Sequence, residues 1–221
     1  MTEVDLFFKT ITEGTDADIE QLLAKDAALA GRRNAAGVSP LLFSLYQGKY
    51  GAVALILRHH PNLDVFEATA LEDLDQLRPL VGADISLVTT YSADGFTPLH
   101  LACFFGKSAS AKFLLNAGAD CNAVSRNGAE LRPINCAAAC RNLEAACDLV
   151  QLLLKGGADI KATQKGGYTA LHSAAANGNV KLVTLLVQSG ADKKARADGK
   201  TPLDFAEERN RTDVIEALSS T

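Results

Sequence analysis

Five cysteines, Cys103, Cys121, Cys136, Cys140 and Cys147, are the residues best equipped for metal or redox chemistry in this chain of 221 residues. On a helix, Cys136 and Cys140 would lie one turn apart on the same face, with Cys147 beyond. A structural zinc site closes with four thiolate or imidazole ligands, usually gathered from short paired spacings. No Cys-x-x-Cys pair occurs here, no His lies between Cys136 and Cys147, and all three stand among alanines. Core thiols at a close approach of two helices are the expectation, with no metal and no cofactor. An odd number of cysteines without framework spacing points to free thiols in a reducing compartment, and a cytoplasmic protein is the simplest reading.

The four histidines carry the other obvious chemistry. A catalytic imidazole needs a nucleophile or carboxylate at a recognisable position, and none recurs beside His100 and His172. His59 and His60 precede Pro61 at an expected helix end, where partial positive charge suits the exposed carbonyls. No glycine-rich phosphate loop, nucleophile elbow or catalytic carboxylate pair is present, so no catalytic residue is assigned and the chain is not expected to be an enzyme. A net charge of -4 gives no field that would draw phosphate backbones or anionic lipid, so nucleic acid is not an expected partner. Met1-Thr2-Glu3-Val4-Asp5 is acidic where a secretory signal is basic, and no segment approaches a membrane span.

The elements that must carry these side chains announce themselves by repetition. Gly118-Ala119-Asp120, Gly157-Ala158-Asp159 and Gly190-Ala191-Asp192 each close a leucine-rich segment, the last two 33 residues apart. A second series runs in register with them: Thr97-Pro98-Leu99-His100, Arg132-Pro133-Ile134-Asn135, Thr169-Ala170-Leu171-His172 and Thr201-Pro202-Leu203-Asp204, with Ser39-Pro40-Leu41-Leu42 earlier. A Ser or Thr oxygen serves the unpaired amides of a first helical turn, and Pro at the next position sacrifices no hydrogen bond. In Val180–Val187 the apolar positions spread well beyond one face, so that helix needs cover from two neighbours. Stacked repeats supply such cover.

These two motifs make the chain resemble the ankyrin family, most closely in Asp94-Gly95-Phe96-Thr97-Pro98-Leu99-His100-Leu101-Ala102 and in Gly167–Ala175. The match is strong over 94–221 and weak over 1–93, an irregular N-terminal half that resembles bacterial cytosolic ankyrin proteins. An all-α solenoid of helix-turn-helix units with β-turn or hairpin-like loops follows from it. Seven units are expected in a single domain spanning 1–221: a cap at 1–33, then 34–64, an irregular 65–93, 94–126, an enlarged 127–165, 166–197 and a second cap at 198–221. His100 and His172 would tie neighbouring turns together.

The resemblance further implies that the turn tip and two residues late in the first helix face a concave groove. In the fourth unit these are Tyr91, Ala93, Asp94, Phe96, Phe104 and Phe105, with Tyr46 and Tyr168 in related places. Aromatic side chains gathered on one surface are the usual material of interface anchors. Arg126, with Lys165, Lys200 and Arg209, would lie near the same groove as a polar rim. One alternative stays open: the irregular third unit leaves a gap that Phe104 or Phe105 fills as core. The expected function is a protein–protein interaction module, an adaptor or inhibitor of a cytosolic enzyme, monomeric because both ends carry polar residues. The competing readings are a metal or enzymatic protein built on the fifth unit's cysteines, and a structural spacer.

Overall fold

The computed structural model describes residues 1–220. Among the described residues fourteen α-helices follow one another in pairs. The first three pairs are α1 Glu3–Glu13 with α2 Asp16–Lys25, α3 Pro40–Tyr46 with α4 Tyr50–His59, and α5 Val65–Leu71 with α6 Leu74–Ala83. Next come α7 Pro98–Phe104 with α8 Ser108–Asn116, and α9 Pro133–Ala139 with α10 Leu143–Lys155. The last are α11 Ala170–Asn177 with α12 Val180–Gln188, and α13 Pro202–Glu208 with α14 Thr212–Ser219. The described residues form no strand, only two isolated bridges, Thr163 with Thr169 and Ala197 with Lys200.

Local chemistry fixes where the helices begin. Ser39, Thr97 and Thr201 each accept a first-turn amide on their hydroxyl and are followed by a proline at the first helical position. Arg132 has no such hydroxyl, and only the reciprocal bond is made there, the Arg132 amide donating to Asn135 Oδ1 at 3.0 Å.

The seven-residue helices are too short to persist alone and survive by packing. Each first helix contacts the first helix of the next pair, from α1 through α13, and the second helices make a parallel row that runs unbroken from α6 to α14. One apolar core threads between the rows from Phe7 to Leu218. Each fully buried Leu or Ile in it contributes roughly 1.5–3 kcal/mol relative to exposure. In the last pair Val214 and Leu218 face inward while Asp213 and Glu216 stay in water, a polar outer face of the kind a terminal repeat needs.

Two departures from the repeat shape the molecule. Residues 72 and 73 alone join α5 to α6, where residues 105–107 join α7 to α8, so the third pair is one residue short. Glu72 takes the left-handed conformation (φ 63°) that glycine supplies elsewhere. The fifth pair is long because α10 has 13 residues against 9 in α8 and α12, one added helical turn.

Candidate protein-binding face

The histidines are consumed in ties between pairs. Each accepts a backbone amide on Nδ1, from Thr97 to His100 at 3.3 Å and from Thr169 to His172 at 3.1 Å. An amide can only donate, so Nδ1 carries no proton and Nε2 does. That proton is donated to the Leu131 carbonyl by His100 (3.0 Å) and to the Lys200 carbonyl by His172 (3.2 Å), each in the following turn. Burial holds both imidazoles below their usual titration range. Turn tips also meet directly: the Arg126 amide donates to the Gly95 carbonyl at 2.8 Å, and a Cβ on Gly95 would lie 2.8 Å from the Arg126 carbonyl carbon.

Five of the anticipated residues converge. Tyr46 reaches across the short third pair, its ring centroid 5.9 Å from Phe104 and 5.3 Å from Phe105, which are themselves 5.1 Å apart edge to face. Beneath them Ala70 is fully buried in a small second core with Leu42 and Leu101, against which Phe105, Tyr46, Phe66 and Phe96 pack. Phe105 therefore roofs this cluster, whereas Phe104 stays 44% exposed at its edge. The Tyr46 hydroxyl donates to Asp94 Oδ2 at 2.7 Å, and Ser92 donates to the other carboxylate oxygen. Burial first, then that bond to Asp94, pushes the Tyr46 phenol well above its ordinary range.

The other three residues fall elsewhere. Tyr91 makes no ring contact with that cluster: its hydroxyl donates to the Val124 carbonyl at 3.0 Å, and the Arg126 guanidinium lies 3.8 Å above its ring. Tyr168 belongs to a third group, 5.6 Å from Phe205 and hydrogen-bonded to Asp198 Oδ2 at 2.6 Å. Phe66 and Phe205 were not anticipated. Counting along α13 from Pro202, as along α7 from Pro98, places Phe205 level with Leu101 and would have found it.

A family model described as ankyrin repeats (3 copies) matches residues 136–221, and one described as ankyrin repeat matches 94–126, together more than half of the chain. The chain belongs to the ankyrin-repeat family. Human B-cell lymphoma 3 protein is 37% identical over 196 residues, 87% of this chain and 38% of that protein. Tyrosine-protein kinase HTK16 of Hydra vulgaris is 34% identical over 58% of this chain and 17% of its own length. Human ankyrin repeat and SOCS box protein 16 is 32% identical over 71% of this chain and 35% of its own. The chain thus spans less than half the length of these relatives. Ankyrin repeats are protein–protein interaction modules, and no helix here is long and apolar enough to cross a membrane.

Two features depart from the regular ankyrin unit. Glu67 stands at the third position of α5, where His100 and His172 stand in theirs, and its side chain is 1% exposed. Its Oε2 accepts the Asp64 amide at 3.1 Å and lies 3.2 Å from His60 Nε2, while Oε1 has no partner. The imidazole of His60 thus engages this carboxylate, where the sequence placed it on the closing carbonyls of α4. The second feature is the thiols. All five are free, and Cys103, Cys136 and Cys140 are buried within electrostatic reach of one another. Burial pushes the Cys136 thiol up to about 12 and raises the other four. Protonated buried thiols are poor ligands and nucleophiles, and the described residues hold no group of three His, Cys, Asp or Glu arranged for a metal.

Proposed function

We propose that this ankyrin-repeat chain holds a protein partner against the concave face formed by its turn tips and first helices, acting as an adaptor or as an inhibitor of a cytosolic enzyme. The observation that carries the reading is the aromatic cluster over Ala70, which leaves Phe104 nearly half exposed beside Tyr46 and Phe105. Aromatic rings offer large contact area with few torsions to freeze, and such residues dominate binding energy at interfaces. Tyr91 with Arg126, and Tyr168 with Asp198, would set orientation at neighbouring turn tips as a polar rim. Binding without catalysis, a cytosolic site of action and a monomeric state belong to the same proposal. The kinase and SOCS box activities named in relatives are not carried over, since this chain spans only 17% and 35% of those proteins.

Affinity capture from the source cytosol tests it, comparing the natural chain with Tyr91→Ala and Phe104→Ala. Both variants are expected to fold, and each to weaken capture of the same protein by more than about 1 kcal/mol. A partner retained equally by both variants overturns the assignment of the face.

A further inference from the structure

Beside the aromatic cluster lies a groove of about 440 Å³. Its origin is a change of side-chain size at equivalent positions: α7 ends in Phe104-Phe105, while α9 ends in Ala139-Cys140. Leu45, Tyr46, Phe104 and Phe105 line it together with Ala139 and with Tyr50, which is 72% exposed. A partly enclosed cleft of this size, lined by aromatic rings and polar groups together, admits a leucine or phenylalanine side chain with the backbone that carries it.

Arg141 is the charged residue that lines the groove; it is exposed, and among the described residues it makes no ion pair or side-chain hydrogen bond. Lys107 adds to this charge: it follows Gly106, where a Cβ would stand 3.0 Å from Cys140 Sγ in the lining, and it too has no ion-pair partner among the described residues. Of the neighbouring carboxylates, Glu72 accepts the Ala109 and Ser110 amides, Asp94 is held by Tyr46 and Ser92, and Glu144, like Lys107, stands outside the lining. A free guanidinium beside exposed aromatic rings, in a chain whose net charge is -4, is a recognition feature.

Building on the proposed binding face, we infer that this groove takes an acidic segment of a partner protein, seating a Leu, Phe or Trp side chain against Phe104 and an adjacent carboxylate on Arg141. A guanidinium matches a carboxylate in two parallel hydrogen bonds, so the pair fixes register as well as adding attraction. Single-stranded nucleic acid shares the need for rings and cations, but it stacks bases on open ring faces along a continuous basic track. Here Phe104 packs edge to face against both Tyr46 and Phe105, and the cations number two.

The test is selection of random peptides of about twelve residues, displayed on phage, against the whole chain, followed by titration of the enriched peptides. Enriched sequences are expected to pair Asp or Glu with a Leu, Phe or Trp. Their affinity should fall about tenfold in Phe104→Ala and in Arg141→Glu, and severalfold between about 0.05 M and about 0.5 M salt. Phe104→Leu, which keeps an apolar wall, should retain most of the binding, and unchanged circular dichroism shows that each variant is folded. Enrichment of neutral or basic peptides, indifference to Arg141→Glu, or tighter binding of oligo-dT than of any peptide overturns the inference. Peptides sensitive to Tyr91→Ala and indifferent to Phe104→Ala overturn the groove while leaving a binding face at the turn tips. A library that yields no peptide overturns the groove as well, and the cytosolic capture then decides the broader function separately.

Discussion

His100 accepts the Thr97 amide on one ring nitrogen and donates from the other, so a second proton would face an N–H donor inside the core. Burial accordingly lowers its folded pKa from 6.5, and the same holds for His172. Below the unfolded value near 6.5 the unfolded chain binds more protons than the folded one, so stability is full above that pH and declines as pH falls through it. Asp5, Asp18 and Asp204 titrate below their usual 3.8 through their bonds to Thr2, Thr15 and Thr201, so their contribution disappears only at far lower pH. Urea midpoints are expected to be flat between about pH 7 and 8 and to drop between about 6.5 and 5, with His100→Asn reducing the drop because Asn135 already fills this position in the fifth pair. A midpoint independent of pH over that range would refute the tautomer assignment. The two phenylalanines should separate by the same logic of environment. Phe105→Ala opens the roof over Ala70 and is expected to cost about 2 kcal/mol or more, while Phe104→Ala, half in water, costs about 1 kcal/mol or less. Equal losses in thermal denaturation would mean that both are core.

Glu72 shows how an element absorbs an irregularity. It occupies a left-handed position at a cost, and in return its Oε1 accepts the Ala109 amide at 2.6 Å, capping α8, whose own N-cap residue Lys107 supplies no side-chain bond. Glu72→Ala keeps the backbone cost and loses the cap, an expected destabilisation of about 1 kcal/mol. Glu72→Gly loses the cap but relieves the backbone by a similar amount, so it should lie close to the natural chain. Chemical denaturation of both variants checks this, and a Gly variant as unstable as the Ala variant would contradict it. Such elements also mark what the sequence can and cannot carry. Thr97-Pro98 and Thr201-Pro202 specify helix starts through chemistry confined to four residues, which is why the all-helical repeat could be read directly. The meeting of Tyr46 with Asp94, 48 residues away, joins the second pair to the turn before the fourth across the whole third pair, and no local pattern reports that. Tyr91 and Phe104, adjacent in the expected surface, part company because one is held by Val124 and Arg126 and the other by Tyr46.

In the whole molecule each pair is covered by its neighbours, so stability is a sum of intrinsic terms and contacts between adjacent pairs, and loss of structure should travel from an end. The two ends are unequal. The first pair buries Phe7, Phe8, Ile11, Ile19 and Leu23, whereas the last buries only Pro202, Ala206, Val214 and Leu218. Less apolar volume is removed from water at the C-terminal end, and the histidine position there is Asp204, which bonds only within its own turn. Hydrogen exchange under native conditions is therefore expected to release α13 and α14 first, then α12 and α11, with α7 and α9 protected longest. Val214→Ala sharpens the test: it should speed exchange in α14, α13 and α12 and leave α1 to α4 unchanged, because the lost contacts reach only the adjoining pair. Acceleration spread evenly over all seven pairs would mean that the chain unfolds as one cooperative block, and the coupling between neighbours would then be far stronger than the packing at this end provides.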